Sequence, residues 1–275
     1  MLMKKIISLL AVCLLSCGFM WADEIYGVFS SNNQLLTFYY DNQKSTRGGV
    51  YPDEWGKNSY NEARDAVKKV VFSSSMQNAR PTSTKQWFNG FDALETIEHI
   101  EYLNTSEVTT MYAMFALCRS LQSIDLSHFN TSKVTSMASM FNQCEALTEL
   151  DLTGFDVAQV TNVEQMFASA KNLTTIYCNV DWSQYTNKGD NPSLFRDCFK
   201  LKGGMGCAYH ENYVRLNRAC PDKPLKRGYF TEKNQEGVEN VQGDKVRGTK
   251  VIENGVLYLM YNGKKYNVQG IECTK

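Results

Sequence analysis

The chain has 275 residues, and its 29 Lys plus Arg balance 29 Asp plus Glu. With no net charge and no basic run, nucleic acid and anionic membranes are poor partners. The length suits one elongated domain with small ends, and no later stretch approaches the roughly 18 consecutive apolar residues of a membrane span.

In chain order, residues 1–22 read as a secretory signal peptide. Lys4-Lys5 is its positive region, residues 6–15 its apolar region and Ala22 a small residue at a cleavage site. Leu14-Leu15-Ser16-Cys17 also fits a bacterial lipobox, which would place a lipid anchor on Cys17. Free secretion is the first reading and the anchor its alternative. Residues 23–66 form an N-terminal β cap. Tyr26, Val28, Leu36, Phe38 and Tyr40 alternate around residues 30–33, which predicts a hairpin covering the bare edge of the next element.

The central region repeats every 26 residues. Val108, Met111, Phe115, Cys118, Leu121, Ile124, Leu126 and Phe129 recur as Val134, Met137, Phe141, Cys144, Leu147, Leu150, Leu152 and Phe155. A third copy runs through Val160, Val163, Phe167, Ala170, Leu173, Ile176 and Cys178, and degenerate copies flank the three. Such a period signals a solenoid, whose units bury their apolar faces only by stacking. Val134, Met137, Phe141 and Cys144 step by 3, 4 and 3, the spacing of one helix face, behind Asn130-Thr131-Ser132 as N-cap types. Leu150 and Leu152 alternate as a strand does.

The pattern F-x-x-C-x-x-L-x-x-L-D-L-x-x-F, followed by a predicted helix ending in Met140-Phe141, resembles the BspA-like leucine-rich-repeat surface proteins of bacteria. The likeness covers roughly residues 70–230. It implies an exported, non-catalytic protein, secreted or on the outer cell surface of a bacterium, that adheres to extracellular or surface proteins of host or neighbouring microbes. The fold expected is an α/β solenoid. It would be a leucine-rich-repeat-like stack of about five rungs with parallel strands over residues 67–230, an N-terminal β-hairpin cap and a small C-terminal β-meander. A passive envelope or matrix component that self-associates is the alternative function.

Residues 231–249 are polar and Gly-containing, a linker. Residues 250–275 carry Asn254-Gly255 and Asn262-Gly263 between apolar runs, which predicts a three-stranded β-meander. It reads as a capping piece or as a sorting signal.

No catalytic motif occurs, and neither a cofactor nor a metal is expected: GxSxG, Walker and His-Glu-x-x-His patterns are missing, and no Cys/His zinc spacing is present. Cys118, Cys144 and Cys198 share one repeat position that the third copy fills with Ala170, so they read as small buried side chains. Cys207 and Cys220 lie outside the repeat core, 13 apart, and are a disulfide candidate. The binding face expected is the outward side of the strands: Ser123 and Asp125, Glu149 and Asp151, Thr175 and Tyr177. Tyrosine favours such a role, because it offers large contact area at low entropic cost. A merely solvated strand face fits the same residues.

Overall fold

The computed structural model describes residues 22–54, 61–184, 191, 193–233, 249–253, 256–261 and 264–266. The signal segment to residue 21 with Cys17, residues 234–248 of the linker, and both Asn-Gly turns lie outside the described residues. The chain divides into two units, Met1–Lys233 and Asn234–Lys275.

In the first unit, β1 (Glu24–Phe29) and β2 (Leu35–Asp41) pair antiparallel around Asn33, whose φ of 56° makes the turn. Two short helices follow, α1 (Lys44–Arg47) and α2 (Asn61–Ala66). Then β3 (Lys69–Phe72) adds parallel to β2, and β4 (Thr96–Glu98) parallel to β3. The order β1-β2-β3-β4 is thus a mixed four-stranded sheet. A second, parallel sheet holds β5 (Glu149–Asp151), β6 (Thr175–Tyr177) and β7 (Phe230–Thr231). The second unit contributes β8 (Thr249–Glu253), β9 (Val256–Tyr261) and β10 (Lys264–Tyr266), an antiparallel sheet ordered β10-β9-β8.

This architecture corrects the expected α/β solenoid. A continuous stack of about five parallel rungs is replaced by two small sheets, and residues 121–126 of the first clear copy pair with no strand. Both α-helices precede the repeats, and among the described residues of the copies themselves there is none. The physical reason lies in the backbone. Ala113, Ser139 and Gln165 all have positive φ, as do Leu117, Gln143 and Ser169. Each such residue costs about 1–2 kcal/mol in an L-chain and interrupts a right-handed helix.

Hydrogen bonds between copies offset that cost. Met137, Ser139, Phe141 and Gln143 donate their N–H groups to the carbonyls of Asn162, Glu164, Met166 and Ala168. The N–H groups between them close tight turns within the copy, Met140 to Met137 and Asn142 to Ser139. The 3-4-3 spacing therefore buries one face through alternating turns instead of a helix.

The sequence period survives as columns of like residues. Phe88, Phe115, Phe141, Phe167 and Phe195 stack with centroids 5.4, 5.6, 6.2 and 5.5 Å apart and planes within 10°, inside the range where ring pairs attract. Phe38 and Phe72 close one end, and Tyr229 and Phe230 the other, with edge-on contacts among them. Lys133 pairs with Glu107 at 2.7 Å and Lys171 with Glu145 at 3.0 Å, each linking neighbouring copies.

The N-cap reading of Asn130-Thr131-Ser132 also changes. Asn130 Oδ1 does accept the N–H of Ser132 at 3.0 Å, but it closes a turn and opens no helix. The buried Thr131 hydroxyl donates to the Asp156 carbonyl at 2.8 Å and accepts the Asp156 N–H at 2.8 Å. Thr105 does the same to Asn130, at 3.0 and 2.7 Å.

Candidate functional site

The parallel sheet β5-β6-β7 turns one side inward through Leu150, Ile176 and Phe230, all buried. Alternation then sends Glu149, Asp151, Thr175, Tyr177 and Thr231 to the other side. The register sets Glu149 beside Thr175, Asp151 beside Tyr177, and Tyr177 beside Thr231. Four of the six residues expected to face a ligand thus form one patch.

Its centre is Asp151. The carboxylate accepts the backbone N–H of Thr153 at 3.0 Å, the Thr153 hydroxyl at 2.6 Å and the Lys233 ammonium at 2.6 Å. Partial burial pulls its pKa up, but Lys233 and the two Thr153 donors outweigh it and leave the carboxyl below its ordinary value. The same ammonium lies 5.6 Å from the centre of the Tyr177 ring, a cation–π distance. Lys233 is clamped through its backbone: Asn179 accepts its N–H at 2.9 Å and donates to its carbonyl at 3.1 Å.

Lys233 was not legible as part of this face. It stands 82 residues from Asp151, in a stretch whose composition marks a linker. The one available sequence signal was the Phe230-Thr231 pair, which continues the apolar-in, polar-out alternation of the repeat strands.

Ser123 and Asp125 are exposed but sit on a segment without strand pairing. Asp125 Oδ1 accepts the Ser127 N–H at 2.9 Å. That bond, first among the causes, lowers the Asp125 pKa, while the charge of Asp151 opposes it. Asp125 therefore lies within electrostatic reach of the patch, although the sheet does not carry it there. Both aspartates have a structural duty as well, closing two-residue turns with their carboxylates.

Cys207 and Cys220, the disulfide candidate of the sequence, are buried free thiols. The buried Asp222 carboxylate, two residues after Cys220, accepts the N–H groups of Met205 at 3.1 Å and Cys207 at 2.7 Å. Among the described residues, no group of three or more His, Cys, Asp or Glu side chains could hold a metal ion, and no helix is long and apolar enough to cross a membrane. What the patch offers chemically is contact: carboxylates, two threonine hydroxyls and one aromatic ring in a fixed array.

Residues 82–202 match the model of a family described as a Mycoplasma protein of unknown function, DUF285. The chain is similar to that family over this stretch, which is less than half of its length. No curated protein and no solved structure matches.

Proposed function

We propose that this chain is an exported bacterial binding protein, secreted or held at the outer cell surface, that engages proteins of a host or of neighbouring microbes through the outward face of β5-β6-β7. It performs no covalent chemistry in this reading. The observation that carries it is the rigid juxtaposition of Glu149, Asp151, Thr175 and Tyr177, braced by Lys233. A face that only needed to be wet would not require an aromatic ring and a carboxylate tied to one cation. The likeness of the repeat motif to BspA-like surface proteins supports the same role. So does the reading of residues 1–22 as a secretory signal.

The test is a binding screen with the protein immobilised against extracellular matrix proteins and microbial surface extracts. Saturable binding that is lost in the Asp125→Ala/Asp151→Ala/Tyr177→Ala triple variant is the expected result. No binding to any of these partners, together with concentration-dependent self-association in sedimentation, would replace the proposal with a structural role.

A further inference from the structure

The ladder between the copies has two ends, and they are finished differently. At the C-terminal end the donors of the last copy are satisfied: Phe195 N–H donates to the Val214 carbonyl at 3.0 Å and Asp197 N–H to the Tyr209 hydroxyl at 3.1 Å. At the N-terminal end the acceptors are open. In the next copy, the carbonyls of Thr110, Tyr112, Met114 and Ala116 receive the N–H groups of Thr84, Gln86, Phe88 and Gly90. The equivalent carbonyls one copy earlier belong to Ser83, Lys85, Trp87 and Asn89. Among the described residues, nothing donates to these four.

All four residues line one cleft of about 480 Å³, within the range of ligand sites. The cleft is also lined by Ile25, Pro52, Asp53 and Arg64. Arg64 comes from α2, and its side chain is only 20% exposed. Asp65 takes its Nε at 3.1 Å, so the two terminal amino groups remain for a second partner. Gly90 makes room for the guanidinium, since a Cβ there would lie 3.2 Å from Cζ of Arg64. The backbone conformation does not by itself demand glycine: Leu117, Gln143 and Ser169 hold positive φ at the same column. The glycine answers to the arginine.

We propose that this cleft is a peptide-binding groove, in which a segment of another polypeptide donates alternate backbone N–H groups to Ser83, Lys85, Trp87 and Asn89 and places an acidic side chain on Arg64. Inside the protein, these positions of the ladder are filled by polypeptide in every later copy, and open edges of this kind capture chain segments by backbone pairing. Asp65 engages only Nε of Arg64, so the two terminal amino groups of the guanidinium, with Lys85 on the same cleft, are what an acidic side chain would meet. This surface is separate from the β5-β6-β7 face, and either assignment can stand without the other.

The experiment pans a random phage-displayed nonapeptide library on the full chain and follows one enriched peptide, made synthetically, by calorimetry. Enriched sequences should carry Asp or Glu, and Arg64→Ala should weaken binding at least tenfold while Asp151→Asn leaves it unchanged. N-methylation of alternate amides of the peptide should also weaken it tenfold, whereas methylation of the intervening amides should not. That arm changes only the ligand and is independent of how Arg64→Ala folds. The proposal is overturned if no peptide is enriched, if binding ignores the position of the methyl groups, or if Asp151→Asn abolishes it. It is equally overturned if polygalacturonate binds in an Arg64-dependent way and peptides do not, which would make the cleft a saccharide site.

Discussion

The thiol of Cys144 donates to the carbonyl oxygen of Phe115 at 3.0 Å, across two neighbouring copies and out of reach of solvent. Cys118 reaches Phe88 in the same way at 3.1 Å, and Cys198 reaches Phe167 at 2.9 Å. The position therefore uses the S–H group that a purely steric reading ignores, although Ala170 shows that the fold survives without it.

From this follows a pattern of thiol reactivity. Burial pushes Cys198 up to about 12 and Cys144 well beyond the ordinary thiol range, and only the thiolate reacts. In the folded protein at pH 8, alkylation followed by mass spectrometry should leave Cys118, Cys144 and Cys198 unmodified, and all three should react in concentrated urea. Cys144→Ala should lower stability by about 1 kcal/mol, because S–H is a weak donor.

Phe141 is fully buried and parallel to a ring on each side. Phe141→Ala should cost about 3–5 kcal/mol, the range for deleting a buried aromatic. Urea denaturation monitored by circular dichroism gives the value. A loss under about 1 kcal/mol would show that the phenylalanine column does not hold the copies together.

Thr131→Val keeps the shape of the side chain and removes its hydroxyl. The N–H and C=O of Asp156 then lose their partner inside the protein, at about 1–3 kcal/mol. Thr105→Val should behave alike toward Asn130. Thr153→Val bears instead on Asp151, so weaker destabilisation is expected there, since that carboxylate keeps Lys233.

The Asp151–Lys233 pair is partly exposed, with side chains 39% and 55% accessible. Its contribution is then about 0.2–1 kcal/mol. The folded carboxyl titrates below its unfolded value, so this stabilisation is complete above about pH 4 and disappears as pH falls through the lower, folded value. Asp151→Asn should lower the urea midpoint slightly at pH 6 and match the parent protein once the pH is below the folded value. An unchanged difference at both pH values would mean that the charge has no part in it.

Leu150→Lys and Asp151→Lys separate the two sides of β5. Leu150 points inward, so a lysine there buries an unpaired charge and should prevent folding. Asp151→Lys instead sets a second cation beside Lys233 and should leave the protein folded with its melting temperature a few degrees lower. Equal melts for the two would contradict the register of Glu149, Leu150 and Asp151.

The hairpin alternation of Tyr26, Val28, Leu36 and Phe38 could be read in advance because strand periodicity is local and reports which side is buried. The 3-4-3 spacing in the copies could not be read correctly for the opposite reason. One buried face at that spacing fits a helix, and it fits equally a run of turns in which every second N–H leaves the copy. Nothing in Ala113, Ser139 or Gln165 marks a left-handed residue, since none is the Gly or Asn that usually betrays one. The candidate site divides the same way: Glu149, Asp151, Thr175 and Tyr177 follow from alternation, whereas Lys233 arrives from 82 residues away.

By itself, the sequence determined which side chains are alike: the period of 26, the buried Phe and Cys columns, and the outward carboxylates and tyrosine between them. Those are properties of composition at fixed spacing, and solvent exclusion sorts them without knowledge of distant chain. Only the tertiary structure decided how the backbone closes its hydrogen bonds. A buried N–H must find an acceptor, and here the acceptor lies about one copy away. The choice between helix and inter-copy ladder, the bracket of Lys233 and the open carbonyls beside Arg64 therefore belong to the assembled copies and to no single one.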